Sequence, residues 1–400
     1  MTGHRSKKKW HARSSDGVAV ECNAEFRQCP RTKDGEPHVY ASTPQEAQQK
    51  IDAIKAEYMG KDLFASAFSK GRKAAQQPVG AGDNSPERGK QWESMSLVEQ
   101  GRECERVLQE ACDNHQAISG LDMSLRHQYA ERALSQAIRD GLKTSDTYST
   151  KIPAGPVYTP ERRKLQQQII DDVFKQHEDT PCEGEAIISG GMGGAGKTTV
   201  LTRYLNIDTD KYITVNPDDI KEIMAERGMI PTLRGLTPME CSTLAHDEAS
   251  HISSIIMDRA IREKKNIILD GTMSKRSSMD SRVGRLKKGG YSPRAVFVDI
   301  TPETSTKRAT SRYRRGMDKY TVSGEGQGGR ILPASVNQGN TPEDTTRFRS
   351  RSAENLASMH ADGTIETEPV VFNNDGDAPR PVPYSDFIGR LEISDQYHRQ

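Results

Sequence analysis

Long hydrophobic runs are missing from this sequence of 400 residues, and no stretch approaches the roughly eighteen apolar residues of a membrane-spanning helix. The basic amino terminus, with Arg5, Lys7 and Arg13, is not followed by an apolar segment, so we do not expect a secretion signal. A net charge of only +1 provides no overall field that would attract nucleic acid or a membrane surface. The sequence therefore predicts a cytoplasmic protein that binds no membrane, and on charge it argues against a nucleic-acid partner.

Cysteine is scarce, and the six residues are scattered along the chain at positions 22, 29, 104, 112, 182 and 241. Such spacing is not that of a disulfide framework, and it is consistent with a reducing compartment. Cys22, Cys29 and His38 suggest a zinc site, but their spacing matches no standard finger and a fourth ligand, His4 or His11, has to be assumed. The alternative interpretation is that the cysteines are small buried thiols and bind no metal.

Aromatic residues make up only 6% of the chain and hydrophobic residues 33%, with a mean hydropathy of −0.78. One core that uses every residue is not expected from this composition, and the length allows two or three domains. We predict a small N-terminal α+β module over residues 1–69 and a linker and helical region over 70–150. A catalytic domain over 151–376 and a tail over 377–400 follow.

Within the first two regions, strands are predicted over 18–22 and 38–40, and Thr43 with Pro44 begins a helix. Two further stretches have helical periodicity, one from Leu97 to Ala111 and one from Leu125 to Ile138. They could pack on each other as a helical hairpin, or they could await a partner protein.

The most informative pattern is Gly191-x-x-x-x-Gly196-Lys197-Thr198, which follows a short apolar run and precedes a helical stretch. Strand, glycine-rich loop and helix in this order predict a phosphate-binding loop for ATP with Mg²⁺. Small residues allow backbone N–H groups to surround the phosphates, and the helix N-terminus adds partial positive charge. The predicted nucleotide-binding residues of the loop are Gly191, Met192, Gly193, Gly194, Ala195, Gly196, Lys197, Thr198 and Thr199.

Strand and helix signals alternate after this loop, which predicts an α/β fold of the P-loop kinase type, with a parallel sheet and helices on both faces. Ligands of such sheets bind at the carboxyl ends of the strands. Two further strands end in candidate residues, one at Asn216 and Asp218 and the other at Asp270 and Thr272. Carboxylates there can accept a proton from a substrate hydroxyl or hold Mg²⁺. Asp219 fits a helix cap.

Six basic residues lie after the next predicted strand. Arginines can stabilise the charge that spreads over a transferring phosphoryl group. A basic, solvated helix face would explain some of these residues but not easily all of them. The group comprises Lys307, Arg308, Arg312, Arg314, Arg315 and Arg330.

A long helix is predicted from Thr237 to Lys265, with Thr237 and Glu240 as a capping box. His246 and Glu248 fall outside its apolar stripe. They could face solvent, or they could line a substrate cleft.

The ordered pieces TPERRKL, GGMGGAGKTT, VNPDDIK, LAHDEAS, NIILDGTMS, LKKGGYSPRAVFVD, RYRRG and GGRILP resemble the zeta-toxin kinases of bacterial toxin–antitoxin systems. VVFNNDG is similar to the last strand of that family, so the resemblance covers residues from about 159 to 376. It implies transfer of the ATP γ-phosphate to the 3′-hydroxyl of the amino sugar in UDP-N-acetylglucosamine, with a toxic effect on cell-wall synthesis. No segment of the chain is plainly a fused antitoxin, so a separate antitoxin or another protein is the implied partner.

The resemblance also implies the roles of individual residues. Lys197 and Thr198 would hold ATP and Mg²⁺, with Asp270 as a second metal ligand, and Asp218 would be the base. Arg312 and Arg330 would clamp the phosphate, although a glycine-rich insert, residues 324–329, widens their spacing here. Asp270 and Thr272 match an acid-Gly-Thr element of that family's substrate site. From the residues themselves, we predict Asn216, His246 and Glu248 as further substrate-site residues and Arg308 as a nucleotide-site residue.

Two other functions remain open from the residues alone. One is a P-loop kinase that acts on a different nucleotide or on a nucleic-acid end. The other is a nucleotide-switched protein whose first half binds a partner. The combination of Asp218 with Arg312 favours phosphoryl transfer, because a switch needs no base placed for a hydroxyl.

Overall fold

A computed structural model describes residues 8–12, 19–21, 39–41, 43, 45, 47, 86–152, 155–332 and 339–389. Among the described helices, none is both long enough and apolar enough to cross a membrane. Cys22, Cys29 and His38, the residues of the possible zinc site, lie outside the described residues.

The described residues near the amino terminus form an antiparallel sheet in which β1 (Lys8–Ala12) pairs with both β2 (Ala19–Glu21) and β3 (Val39–Ala41). The predicted strands correspond to β2 and β3, whereas β1 was missed because its sequence, KKWHA, has no regular alternation. Ala47 donates its N–H to the carbonyl of Thr43 at 3.0 Å, as expected for the first turn of the predicted helix.

Residues 86–158 form helices and one hairpin. The elements are α1 (Pro86–Ser94), α2 (Leu97–Asn114), α3 (Gly120–Arg139), α4 (Thr144–Thr147), β4 (Ser149–Ile152) and β5 (Gly155–Tyr158). The two predicted helices are α2 and α3. Ser96 caps α2 in a capping box with Glu99, and Ser119 caps α3. Strands β4 and β5 pair antiparallel.

The elements after residue 159 alternate between helix and strand. They are α5 (Pro160–Gln176), β6 (Ala186–Gly190), α6 (Lys197–Thr199, continued by a π-helical turn over Val200–Tyr204), β7 (Ile213–Val215) and α7 (Pro217–Glu226). The chain continues with α8 (His246–Arg262), β8 (Ile267–Asp270), α9 (Arg276–Lys288), β9 (Arg294–Asp299) and α10 (Pro302–Ser323). The last described elements are α11 (Arg351–Ala361), β10 (Val370–Asn373), β11 (Arg380–Val382) and α12 (Tyr384–Ile388).

Strands β6 to β11 form one sheet in the order β11-β10-β9-β6-β8-β7. All neighbours are parallel except β11, which runs antiparallel to β10 at one edge. Every residue of β6 is buried, which is typical of a parallel strand covered on both faces. The predicted α/β fold with a mainly parallel sheet is thus confirmed.

Alternate residues of the strands pack into two different cores. Ile187 of β6 and Val296 of β9 face a smaller core that includes Val200 and Leu201 after the glycine-rich loop. Ile188 faces the larger core on the other side of the sheet. That larger core also contains apolar side chains of α2, α3, α5, α7, α8, α9 and α11. Helices therefore cover both faces, as predicted.

The long helix predicted from Thr237 does not form over its whole length. The capping-box hydrogen bonds between Thr237 and Glu240 are present, but they close a turn. A 3-10 segment (Ser242–Ala245) follows, and α8 begins only at His246. Glu240 is buried and shared with partners from α3 and α10, which explains why the box does not serve as the cap of a continuous helix.

Candidate active site

The glycine-rich loop connects β6 to α6 and needs glycine for two different reasons. At Gly191, φ is +134° and an added Cβ would collide with the carbonyl oxygen of Val298. At Gly196, φ is +86° and an added Cβ would lie 2.7 Å from the amide nitrogen of Asn374. Side chains at these positions would therefore strain the backbone and separate the loop from β9 and β10.

Three side chains outside the loop hold its carbonyl oxygens. Ser305 Oγ donates to Gly193 O at 2.7 Å, and Asn374 Nδ2 donates to Ala195 O at 2.7 Å. Arg308 Nη1 donates to Gly194 O at 3.2 Å, while its Nη2 donates to Asn374 O at 2.7 Å. Because these bonds use carbonyl oxygens, they fix the loop without engaging its N–H groups. Arg308 thus holds the loop in shape, and its predicted contact with the nucleotide stays a prediction.

Lys197 lies where the loop meets the acidic end of β8. Its Nζ donates to Gly191 O at 3.3 Å and is 3.7 Å from Asp270 Oδ1. Thr198 and Thr199 follow at the start of α6 and are exposed. The buried side chains of Met192 and Ala195 anchor the loop in the smaller core.

Asp218, at the start of α7, is held between two cations. Lys221 Nζ donates to Asp218 Oδ1 at 3.0 Å, and Arg330 Nη1 is 2.8 Å from Asp218 Oδ2. Desolvation works to raise the pKa of Asp218, but Lys221 and Arg330 outweigh it and hold that pKa below its ordinary value. The carboxylate is therefore ionised at neutral pH and can accept a proton.

Asn216 joins the acids at the ends of β7 and β8. Its Oδ1 accepts from Asp218 N at 2.9 Å, and its Nδ2 is 3.1 Å from Asp219 Oδ1 and 3.3 Å from Asp270 Oδ2. The cap of α7 is thus Asn216, and the capping role expected for Asp219 is wrong. Asp219 belongs instead to the acidic side of the cleft, because its carboxylate shares the Asn216 amide with Asp270.

The carboxylates of Asp219 and Asp270 ionise less readily than that of Asp218. Desolvation, followed by the charges of Asp270 and Glu222, raises the pKa of Asp219 to about 6. Desolvation also raises the pKa of Asp270, against the effect of Lys197. Two neighbouring carboxylates with raised pKa values would gain from a bound cation.

The residues present fit a magnesium ion. Among the described residues, Asp270 has a carboxylate oxygen, Oδ1, that is buried without a hydrogen-bond partner. The described part of the chain contains no group of three or more His, Cys, Asp or Glu residues that could together hold a metal ion. Mg²⁺ needs no such cluster, because it commonly binds one or two carboxylates together with water and substrate phosphates. Asp270 and the Thr198 hydroxyl are therefore suited to hold it.

Two of the predicted arginines lie together beside the loop. Arg312 Nη2 is 3.8 Å from the position that a Cβ on Gly193 would occupy, and Arg330 contacts Asp218. Desolvation and then the nearby charge of Arg330 lower the pKa of Arg312. Arg314 points elsewhere, toward Gly120 at the start of α3, so the basic residues of α10 do not act as one group.

His246 and Glu248 have different surroundings although they are two residues apart on α8. His246 is exposed near Lys221 and Asp218, and desolvation followed by Lys221 lowers its pKa. Glu248 is fully buried, and it accepts bonds from Arg162 Nε at 2.8 Å and Nη2 at 2.9 Å. The prediction that Glu248 contacts substrate is therefore wrong, because its carboxylate is engaged inside the protein.

A strained residue follows β8. Met273 has a φ of +59° although it is not glycine, and its carbonyl accepts from Asn355 Nδ2 at 2.8 Å. Its side chain packs so closely against Gly190 that a Cβ there would overlap the sulfur. Thr272 and Ser274, on either side, have their hydroxyl oxygens 2.9 Å apart.

Comparison with known protein families matches residues 159–358, half of the chain, to the zeta toxin family. The chain belongs to the zeta toxin family. Membership makes it a kinase-type phosphotransferase, consistent with the loop, acids and arginines described above. A search of curated proteins returned no significant match.

Among solved structures, this zeta toxin relative is similar to a crystal structure of AvrRxo1-ORF1:AvrRxo1-ORF2 with sulphate ions. The identity is 19% and the TM-score 0.44, over 60% of this chain and 75% of that chain. The same complex with ATP gives the same values. The PezAT chromosomal toxin–antitoxin system of Streptococcus pneumoniae is 14% identical, with a TM-score of 0.40, over 59% of this chain and 88% of that chain. At these values the likenesses add nothing to the family assignment.

Four residues of the site were not predicted from the sequence. Lys221 pairs with Asp218, Asp219 joins the acids, and Ser305 and Asn374 hold the loop. Asn374 follows β10 directly, so the rule that polar residues after parallel strands line the site could have identified it.

Proposed function

We propose that this protein transfers the γ-phosphate of ATP to a hydroxyl group of UDP-N-acetylglucosamine. One observation carries the proposal: the phosphate-binding loop, the ionised Asp218 and the pair Arg312 and Arg330 converge at one edge of the sheet. A nucleotide switch has no need of a carboxylate and two arginines at that place. Membership of the zeta toxin family supports the sugar nucleotide as acceptor.

In the proposed reaction the acceptor oxygen forms a bond to the γ-phosphorus as the bond to the β–γ bridging oxygen breaks. Asp218 orients the hydroxyl and takes its proton late in the process, since the transition state is loose. Lys197, Arg312 and Arg330 stabilise charge on the phosphoryl oxygens. Magnesium, held by Thr198 and Asp270, would neutralise charge on the phosphates. His246, Thr272 and Asn216 lie on the acceptor side and would orient the sugar.

The proposal is tested by incubating a bacterial metabolite pool with the protein, ATP and Mg²⁺ and analysing the products by mass spectrometry. We expect UDP-N-acetylglucosamine to be depleted and to reappear with one added phosphate, and Lys197→Ala to abolish the change. Phosphorylation of a different metabolite would retain the kinase and replace the acceptor. Absence of any phosphorylated product would refute phosphoryl transfer to a small molecule.

We further propose that expression of the chain is toxic in a bacterium with a cell wall, and that an antitoxin protein counteracts it. Depletion of a cell-wall precursor should cause lysis. Lysis should disappear in the Lys197→Ala variant, which retains every other surface. Equal toxicity of the two forms would show that the harm does not arise from phosphoryl transfer.

A further inference from the structure

A buried carboxylate lies between three elements of the fold. Glu240 is fully buried and accepts two hydrogen bonds from Arg126 of α3, from Nε and Nη2, both at 2.6 Å. It also accepts from the Tyr313 hydroxyl at 2.8 Å, and from Thr237 N at 2.7 Å and Thr237 Oγ1 at 2.9 Å. We refer to Arg126, Thr237, Glu240 and Tyr313 as the Glu240 cluster.

The cluster is neutral overall and its acidic member is completely bonded. Arg126 is 2% exposed and sends its remaining nitrogen, Nη1, to the carbonyl of Cys104 on α2 at 3.2 Å. A forked, charge-assisted pair of this kind fixes direction as well as distance. The guanidinium therefore sets where Glu240 lies relative to helices α2 and α3.

On its other side the Glu240 cluster contacts α10, the helix that carries Arg312. Tyr313, the next residue on α10, is buried, and its ring meets that of His127 at a centroid distance of 5.7 Å. Because Tyr313 is held by Glu240 and His127, the orientation of α10 is fixed at this turn of the helix. The direction in which Arg312 leaves the helix is fixed with it.

The same cluster also supports the segment that carries Arg330. Met239 N donates to Gln327 O at 2.9 Å. At Gly328 an added Cβ would overlap Thr237, and at Gly329 it would lie 2.6 Å from the ring of Tyr313. The glycine-rich insert, which the sequence suggested would disturb the spacing of the two arginines, thus packs directly on the cluster.

The helices that supply Arg126 lie before residue 159, outside the part matched to the family. Their contact with the catalytic part is close, because Tyr129 donates to Arg234 O at 2.7 Å. At Gly235, φ is +71° and a Cβ would come within 2.7 Å of Glu105 N on α2. Helices α2 and α3 are therefore fitted to the chain that leads into Thr237 and Glu240.

We propose that Arg126, acting through the buried carboxylate of Glu240, is a positioning residue that fixes Arg312 and Arg330 relative to the phosphate loop. The inference rests on the proposed function, in which those two arginines stabilise the transferring phosphate. Helices α2 and α3 thereby become part of the catalytic apparatus, and Arg126 itself touches no reacting atom.

Two anchors of the phosphate loop, Ser305 and Arg308, lie in the first two turns of α10, and the third, Asn374, follows β10, so none of them belongs to the Glu240 cluster. Disturbing the Glu240 cluster should therefore leave ATP binding nearly unchanged while the chemical step slows. If Arg126 had only a structural role, the substitutions would lower the amount of folded protein, and ATP binding and the rate of the chemical step would fall together.

The test uses the full chain with Arg126→Met and Glu240→Gln combined. The pair keeps the side-chain volumes, leaves no unpaired charge, and retains a side-chain oxygen at position 240 that can accept from Tyr313. Tyr313→Phe is a milder second variant that removes a single hydrogen bond. Arg285→Met is the matched control, because Arg285 joins α9 to α8 through Ser254 and Asp258, away from the arginines of the site.

Three quantities are measured below the unfolding temperature of every variant. They are the rate of ADP release from ATP, the dissociation constant of ATP, and hydrogen exchange of residues 327–331. We expect the double variant to release ADP at least tenfold more slowly, with ATP affinity within about threefold and faster exchange at 327–331. Tyr313→Phe should show the same pattern more weakly, and Arg285→Met should show none of it.

Two results would overturn the proposal. One is a double variant whose rate and exchange at 327–331 equal those of the wild type. The other is a full additional loss of rate when the double variant is combined with Arg312→Ala and Arg330→Ala, because a residue that acts through those arginines adds nothing once they are gone. If even the wild type released no ADP, the proposed function would fall, while exchange at 327–331 would still decide whether Arg126 fixes the Arg330 segment.

Discussion

On the nucleotide side of the cleft, the phosphate loop is fixed by the side chains of Ser305, Arg308 and Asn374, which donate to its carbonyl oxygens. On the acceptor side, Asp218, Asp219 and Asp270 are held by cations or by one shared amide. The loop on the nucleotide side therefore has its binding shape before ATP arrives. On the acceptor side the charged groups must exchange partners, because Arg330 is paired with Asp218, the carboxylate that would receive the proton of the acceptor hydroxyl. We therefore expect substitutions on the two sides to affect different kinetic constants.

The largest expected effect comes from Lys197, where the two sides meet. Lys197→Ala should reduce phosphoryl transfer by about 10³ or more, because the lost charge stabilises chiefly the transition state. Transfer is measured as ADP release, with circular dichroism to confirm the fold. Lys164→Ala, on the exposed face of α5, is the control and should be fully active. Comparable rates in the two variants would contradict the role of the loop.

Asp218→Asn should have the next largest effect and should separate the two sides. It keeps the shape and removes the charge, so turnover should fall by about 10²–10⁴ while ATP binding remains. The dissociation constant of ATP is measured beside the rate. A loss of ATP binding would assign this carboxylate to the metal. Asp270→Asn is the counterpart, and if it alone abolished turnover, the base would lie on β8.

Asn374→Ala tests the nucleotide side alone. It removes the hydrogen bond to Ala195 O, which is 2.7 Å long and buried. One such bond contributes about 1 kcal/mol, so ATP should bind roughly fivefold more weakly while turnover at saturating ATP stays close to normal. Titration with ATP measures the change. Asn373→Ala, at the last residue of β10, is the control. A fall in turnover with unchanged affinity would show that the loop is not held as described.

Asp219→Asn should have the smallest effect, on stability and its pH dependence. The pKa of Asp219 is raised to about 6, so the folded protein binds a proton more tightly than the unfolded chain does. Wild-type stability should therefore fall as pH rises from about 4 to 6, and the variant should lack this fall. Because the side chain is exposed and screened, the gain at pH 7 should be only about 1 kcal/mol, and none at pH 4. Thermal unfolding across this range measures it, and equal pH profiles would refute the shift.

The parallel sheet and the loop could be predicted because both depend on short stretches of sequence. Ile187 and Ile188 precede glycines at a fixed spacing, and the Gly196-Lys197-Thr198 signature needs no knowledge of distant partners. The expectation that Asp218 and Asp270 lie at one edge followed from the rule that parallel strands share their carboxyl ends, whereas the roles of Arg312 and Arg330 came from the family resemblance.

Partners far apart in sequence explain what the prediction missed. Glu248 was assigned to the cleft because it falls outside the apolar stripe of its helix, but Arg162, 86 residues earlier, pairs with it inside the protein. Glu240 fitted a capping box, and nothing near it indicated that Arg126, 114 residues away, would share the carboxylate. Burial of a charge is decided by its partner, and a single sequence does not identify that partner.

The close contact between Gly190 and Met273 also has an evolutionary consequence. A larger residue at position 190 would require the side chain at 273 to shrink or turn away, while Met273 holds a left-handed backbone beside the acceptor site. The two positions should therefore change together among related chains. A relative with alanine at position 190 is expected to carry a small residue, most simply glycine, at position 273.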